Sequence, residues 1–516
     1  MYKISNVKVS IKAQEKEYKK IVSSHLNIRE KYISNIQLLK RSVDARKGKV
    51  QYICTFGFEC LDETLLKGKQ VSVVKPYQYI IPNKIMSHTL VVGSGPAGLF
   101  CAWLLAKSGS KVTLIERGYE VEKRSQVIEQ FFNEGIFDEK SNVQFGEGGA
   151  GTFSDGKLTT GIKDDRVRQV LETFVYYGAP KSILVDAKPH IGTDYLRIVV
   201  KNMREDLIKM GAQVLFETQM TDIKIEDNQV KAIEVNHQRW LSCDQLVLAI
   251  GHSARDTFEL LYHKQFLLEQ KPFSVGFRIE HPQSMINEIQ YHQDAKYLKA
   301  ADYKLSYHTA SGRGVYTFCM CPGGQVVGAA SEKNRLVTNG MSYYARDKDN
   351  ANAAILVNVG PQDFQSDHPL AGMYYQQNLE HRAFVLGGSN YHAPISLFKD
   401  YKENTISQKF GEVLPTYQPG VTFANLNDLL STELNEALKE GITYFGSKLK
   451  GFDRDDALLT AIESRSSSPI RILRDGALQS NFKGIYPCGE GAGYAGGIMS
   501  AAIDGLKVAE MILKEA

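Results

Sequence analysis

The chain opens on a two-residue rhythm. YKISNVKVSI (2–11) places Ile4, Val7, Val9 and Ile11 among polar residues and predicts a strand. EKEYKKIVSSHL (15–26) shifts to helical spacing, and KVQYICTFGFEC (49–60) returns to a strand of aromatic and β-branched residues. Together they predict a small α/β domain over residues 1–85, ending in the linker VKPYQYIIPNK with its two prolines. A new unit begins at His88: the strand TLVV, a glycine turn, a helix through Lys107 and a second strand KVTLIE, a β-α-β crossover. The long apolar run LVVGSGPAGLFCAWLLA is broken by Gly, Ser and Pro, so it reads as strand, turn and helix rather than a membrane span.

The turn is Gly93-Ser94-Gly95-Pro96-Ala97-Gly98, flanked by strand and helix as a dinucleotide fingerprint requires. Gly93 permits the tight turn, Gly95 lets a pyrophosphate approach the backbone, and Gly98 brings helix and strand together. The phosphates would rest on the helix N-terminus. Glu116 closes the second strand 18 residues after Gly98, where an acid can accept ribose hydroxyls, and Arg117 follows it.

Three further stretches separate FAD from NAD. DQLVLAIGHSARD (244–256), ending its strand in Ala249-Ile250-Gly251, resembles the "ATG" element of glutathione-reductase-like flavoproteins. QFGEGGAGTFSDGKL (144–158), with Gly149 and Gly151, resembles their loop beside pyrophosphate and flavin. CGEGAGYAGGIMSAAIDG (488–505) follows a strand, and its Gly489-Glu490 resembles the Gly-Asp pair that binds the ribityl chain, with glutamate one methylene longer here. On this reading the backbone from Gly489 to Gly497, including Gly496, lies against the isoalloxazine. The helix from Ile498 then points its N–H groups at the ring's O2/N1 edge.

The phrases KPHIGTD, AIGHSARDTFELL, KPFSVGFRIEHPQ, YTFCMCPGG, VTNGMS, SSSPIRILRD and YPCGEGAGYAGGIMSAA, with RSVDAR at Arg41–Arg46, resemble a bacterial family of uncharacterised FAD-dependent dehydrogenase-like proteins over nearly the whole chain. The resemblance implies FAD binding and an α/β fold. Its parts would be a glutathione-reductase-like FAD-binding Rossmann-type domain (86–270 and 470–516), an inserted α+β substrate domain (271–469) and the small N-terminal domain. It implies an oxidoreductase passing a hydride or electron pair between flavin N5 and a small-molecule substrate, and names no substrate. No second strand–GxGxxG–helix unit exists, which leaves NAD(P)H as at most a transient electron donor.

Charge adds an asymmetry. Residues 1–85 hold 17 basic and 7 acidic side chains, net +10, within a chain of net +4, so the remainder carries −6. A basic head suggests an anionic partner, nucleic acid included; a solvated face or a contact with the acidic body serves as well. This motivates an alternative in which the flavoprotein acts on or associates with RNA; a structural or sensory flavin is the other alternative. The opening stretch has no apolar signal core, and seven scattered cysteines suit a reducing cytoplasm.

Candidate catalytic groups are few. His252 follows the "ATG"-like strand end and either transfers protons or orders its turn. Cys319 and Cys321 form either a redox pair or small buried hydrophobes, and their spacing supports no metal site. Cys488 is expected to pack beneath the flavin, and Tyr494 either covers it or packs elsewhere. Lys157, Arg255, Arg278, His281, Arg465 and Arg471 form a pool of cations whose convergence would call for an acidic substrate.

Overall fold

A computed structural model describes residues 1–46, 49–83 and 85–514. Lys84 of the expected linker and the last two residues of the expected C-terminal segment lie outside them. No helix among the described residues is long and apolar enough to cross a membrane.

The head differs from the expected alternation. Its four strands run in the order Ile33–Asp44, Gln51–Cys60, Tyr2–Ser10, Val71–Val73, and every pairing is antiparallel. It is therefore α+β rather than α/β. The cause is the strand Ile33–Asp44, whose polar residues hide its periodicity and whose short connection to Gln51 can only close an antiparallel pair. Helix Tyr18–Leu26 buries Val22 and Leu26 against Ile4, Val7, Phe56 and Phe58. The head docks on the body through Arg41: its N–H donates to the Val185 carbonyl at 2.7 Å, the Ala187 N–H donates to its carbonyl at 2.8 Å, and its guanidinium pairs with Asp186 at 2.7 Å.

The body holds a five-stranded parallel sheet in the order Ile485–Pro487, Gln245–Leu248, His88–Val92, Lys111–Ile115, Gln213–Leu215. Its strands are runs such as Leu90-Val91-Val92, apolar on both faces because both are covered. Helices Pro96–Lys107 and Ile498–Lys514 pack so closely that a Cβ on Gly505 would stand 2.1 Å from the Ala97 carbonyl oxygen. A three-stranded antiparallel sheet, Met220–Glu226, Gln229–Val235 and Arg239–Ser242, lies between Gln213–Leu215 and Gln245–Leu248 in sequence.

Between Leu248 and Ile485 the chain builds a second, seven-stranded sheet. Its order is Ser306–His308, Gly314–Cys321, Asn350–Val359, Phe273–Pro282, Leu458–Glu463, Ala393–Leu397, Val421–Phe423. Phe277, Ile279, Ile355, Val357 and Ala461 are fully buried in its core with Leu438, Ile442 and Phe445 of helix Thr432–Lys448. Outgoing and returning chain cross together, since Leu268–Gln270 pairs antiparallel with Ile470–Ile472. That ribbon fixes the two sheets against each other.

Candidate functional site

A cavity of about 690 Å³ opens between the carboxyl ends of the parallel strands and the seven-stranded sheet. Crevices in this position are where open α/β sheets hold ligands. The first glycine turn forms one wall. Gly93 has φ +99°, and a Cβ there would lie 2.4 Å from the Ala249 carbonyl oxygen. A Cβ on Gly98 would lie 1.9 Å from the Gly93 carbonyl oxygen, so this glycine serves helix–strand packing. Gly95 is different: the nearest atom to its Cβ position is 4.0 Å away, and the residue faces the cavity with Pro96 and Ala97. Gly95 is the N-cap of helix Pro96–Lys107, with no side chain capping it, so the helix presents free N–H groups to the cavity.

Glu116 also lines the cavity, yet its carboxylate is fully engaged. It accepts from the Ser94 N–H (2.9 Å) and hydroxyl (2.8 Å), and from the Gly118 (3.0 Å) and Gly146 (3.1 Å) amides. A ribose hydroxyl binding here displaces one of these, and the Ser94 hydroxyl is the one free to rotate. Ser94 itself does not line the cavity. Arg117 does, stacked 4.3 Å from the Phe145 ring and paired with Asp256 at 3.0 Å.

The second glycine loop is shaped by a residue that no motif marks out. Arg124, fully buried, donates to the carbonyls of Asn142, Val143, Gly146, Glu147 and Gly149. Its guanidinium pins the loop so that Gly149 stands against the first turn, a Cβ there 3.1 Å from the Gly95 Cα, and Gly151 against Ile498, both on the cavity lining. Beneath the loop lies Glu147, 1% exposed, accepting from the Val121 N–H at 2.7 Å and 3.2 Å from Arg204. Burial pushes its carboxyl up to about 7, against the opposing pull of Arg204. Its folded pKa therefore exceeds its unfolded one, so its contribution is fully present below the ordinary glutamate range and is lost as pH rises through about 7. Stability in denaturant should fall by on the order of 3 kcal/mol between pH 4.5 and 8, and Glu147→Gln should flatten that decline.

The third loop corrects the expected placement. A Cβ on Gly491 would meet the Gly251 carbonyl oxygen at 2.3 Å, and one on Gly493 would meet the Ile470 carbonyl oxygen at 2.9 Å. These glycines, and Gly489 against Ala97, serve packing within the protein; Gly489 does not line the cavity. Only Glu490, Gly496 and Gly497 of this loop face it, followed by Ile498, and added Cβ atoms on the latter two glycines would meet open space. The Gly489 N–H donates to Asp504 at 2.8 Å, while Glu490 stands 3.3 Å from His252 Nδ1. His252 Nε2 is enclosed without a partner among the described residues, and Ala249 and Gly251 line the cavity next to it. Tyr494 turns away and stacks 3.9 Å from the Arg474 guanidinium, so it covers nothing in the cavity. Cys488 is buried on the lining, and burial pushes its thiol well above the ordinary range.

The opposite wall is the strand Gly314–Cys321. Cys319 opens onto the cavity, but the protein atoms packed around it push its thiol up to about 12 despite Lys157 and Arg278 nearby. Cys321 is buried, with its Sγ 3.3 Å from the Cys319 carbonyl. Neither is a thiolate at neutral pH.

Of the six pooled cations, Lys157 and Arg465 line the cavity. Arg278 lies beneath it, paired with Glu463 at 2.9 Å and donating to the Cys319 carbonyl. Arg255 is committed to Glu332 and Glu380, and His281 to the Phe452 carbonyl at 2.7 Å, burial pushing its imidazole down to about 4. Arg471 is not on the lining. Arg346 and Asp155 are, and no pattern in the sequence pairs them across 191 positions.

Residues 272–466 match the model of an FAD-dependent protein, C-terminal domain-like; residues 91–121 match an NAD(P)-binding Rossmann-like domain, and residues 1–59 a domain of unknown function. An uncharacterized protein of Clostridium beijerinckii is 46% identical over 527 residues, covering 99% of this chain and 98% of that one. The ribosomal RNA dihydrouridine synthase of Haemophilus influenzae is 23% identical over 181 residues, 32% of this chain and 40% of that one. The L-proline dehydrogenase structure from P. horikoshii aligns over 84% of this chain and 94% of that one at 13% identity and a TM-score of 0.36, too distant to bear on function. With near-complete coverage in both directions, the chain belongs to the same family as the Clostridium beijerinckii protein, and its residues 272–466 match a domain of FAD-dependent proteins.

Proposed function

We propose that this chain is an FAD-dependent oxidoreductase whose flavin occupies the cavity between the parallel sheet and the seven-stranded sheet. The observation that carries the reading is the cavity itself: one continuous space walled by the fingerprint turn, two further glycine loops and a strand of the second sheet. The residues fit the group. Gly95, Gly496 and Gly497 each leave room that a side chain would fill, and the uncapped helix at Pro96 offers N–H groups to a pyrophosphate. Glu116 and Arg117 would hold the adenosine end, Gly149 and Gly151 the middle, and Glu490 and Ile498 the ribityl and ring end. Bound there, FAD supplies a two-electron acceptor and donor.

The protein's own contributions follow from the geometry. The second sheet, within residues 271–469, covers the space, and its strand Gly314–Cys321 presents Phe318 and Met320 to a substrate. His252, with one nitrogen free and the other near Glu490, is the group placed to accept or donate a proton. A small molecule reaches this space directly, with no second nucleotide domain intervening; NAD(P)H would serve as a transient donor.

Anaerobic titration of the purified protein tests this. A visible flavin band should bleach on adding a reductant substrate or a nicotinamide and return on adding an acceptor. A flavin that only dithionite reduces, across a broad panel of donors, would contradict an oxidoreductase.

A further inference from the structure

Asp155, Lys157 and Arg346 meet on the cavity wall between the second glycine loop and the seven-stranded sheet. Asp155, with a side chain 4% exposed, already has its donors: Arg346 Nε at 2.9 Å, Arg346 Nη2 at 2.5 Å, and the Ser342 hydroxyl. Lys157 comes no nearer to it than 3.4 Å. Its Nζ is enclosed and makes no hydrogen bond to any described residue. The three charges sum to one positive, carried by an ammonium with three unused donors. An enclosed ammonium without an acceptor is costly, and an anion relieves that cost most completely.

The neighbouring enclosed charges pair off, while Lys304, also on the lining, is exposed to solvent. Arg278 holds Glu463 at 2.9 Å, and Lys188 holds Asp302 at 2.8 Å. Two hydroxyls on the lining, Thr338 Oγ1 and Tyr303 Oη, are also enclosed without partners among the described residues. Phe318, Met320 and Val337 add apolar surface to the same lining. One enclosed positive charge, neutral donors and apolar lining match an organic monoanion; the other cation on the lining without an ion pair among the described residues, Lys304, keeps its solvation.

The outer surface agrees independently. Arg41 docks the head, net +10, onto residues 185–187, immediately before Lys188 on the cavity lining. Lys12 of the head lies 4.6 Å from the Tyr297 ring, in the segment that leads to Asp302. Positive charge placed near these lining residues raises the local concentration of anions.

We propose that the substrate is a small monocarboxylate whose carboxylate is held by Lys157, with the Thr338 and Tyr303 hydroxyls beside it. This rests on the flavoprotein reading above and specifies its substrate class. The probes are benzoate and its neutral isostere benzamide, added to the full FAD-loaded chain and read by ligand-observed saturation-transfer NMR and by perturbation of the flavin band. Benzoate should bind and benzamide should not. Lys157→Met should weaken benzoate binding by at least about tenfold, Lys157→Arg should restore much of it, and added salt should weaken it in the native protein. Benzamide binding as tightly as benzoate would overturn the inference while leaving the flavin reading intact. So would Lys157→Met that releases FAD yet binds benzoate unchanged, since the lysine would then belong to the flavin. Absence of any flavin band would overturn the flavin reading and this inference with it.

Discussion

Gly95→Ala should leave the protein folded and weaken FAD binding by at least about tenfold, whereas Gly98→Ala should damage the fold first. The two glycines stand three residues apart in one fingerprint, and the difference lies in what an added methyl would meet. At Gly95 the nearest atom to the methyl is the Gly149 Cα at 4.0 Å, ordinary van der Waals contact, so the methyl costs the protein little beyond roughly 0.5–1 kcal/mol at the N-cap. It occupies space that the pyrophosphate needs. At Gly98 the methyl would sit 1.9 Å from the Gly93 carbonyl oxygen, and helix Pro96–Lys107 would have to retreat from its strand. Overpacking of that kind costs about 1–3 kcal/mol. Thermal melts of the cofactor-free proteins, set beside FAD titrations, separate the two effects. Equal FAD affinity for Gly95→Ala and the native chain would mean that no phosphate approaches this backbone.

Glu380→Ala should cost about 3–5 kcal/mol of stability, the largest loss expected from a single side chain here. Glu380 is fully buried and accepts from Arg255 at 2.7 Å through both terminal nitrogens, from Arg465 at 2.9 and 2.8 Å, and from the Ser464 hydroxyl at 2.7 Å. Removing it strands two buried guanidiniums with only the part-exposed Glu332 to compensate them. The cluster also joins the two sheets. Arg255 begins a helix that follows the parallel strand Gln245–Leu248, while Glu380 and Arg465 come from the second unit; Arg465 reaches back to Ser253, which holds Gln144 on the cavity lining. Burial alone would raise the Glu380 carboxyl, but the two arginines outweigh it and hold it well below the ordinary range. Its contribution is thus present above the unfolded pKa and lost as pH falls through the folded one. Urea denaturation should show a gap between native and variant that is constant from pH 8 to 5 and narrows below about pH 4.

Four of the five parallel strands were legible in the sequence as short apolar runs beside glycine-containing turns; the edge strand Gln213–Leu215, only three residues long, was not. The head's strand Ile33–Asp44 was not, since its burial comes from neighbours rather than from an alternating pattern. The glycines of residues 489–497 look alike in sequence, yet Gly491 and Gly493 yield to other backbone while Gly496 and Gly497 yield to the cavity. Only the path of Gly251 and Ile470 past them makes the distinction. Lys157 was visible as a cation beside a glycine loop; its standing as the uncompensated one was not. That depends on Arg346, far along the chain, claiming Asp155 first.

The central claim is the position of the flavin, and a crystal structure of the FAD-loaded protein tests it most directly. The isoalloxazine ring should lie between residues 496–498 and the strand Gly314–Cys321, with the pyrophosphate at Gly95 and the start of helix Pro96–Lys107. A flavin bound elsewhere, or a ring pointing away from the seven-stranded sheet, would contradict it.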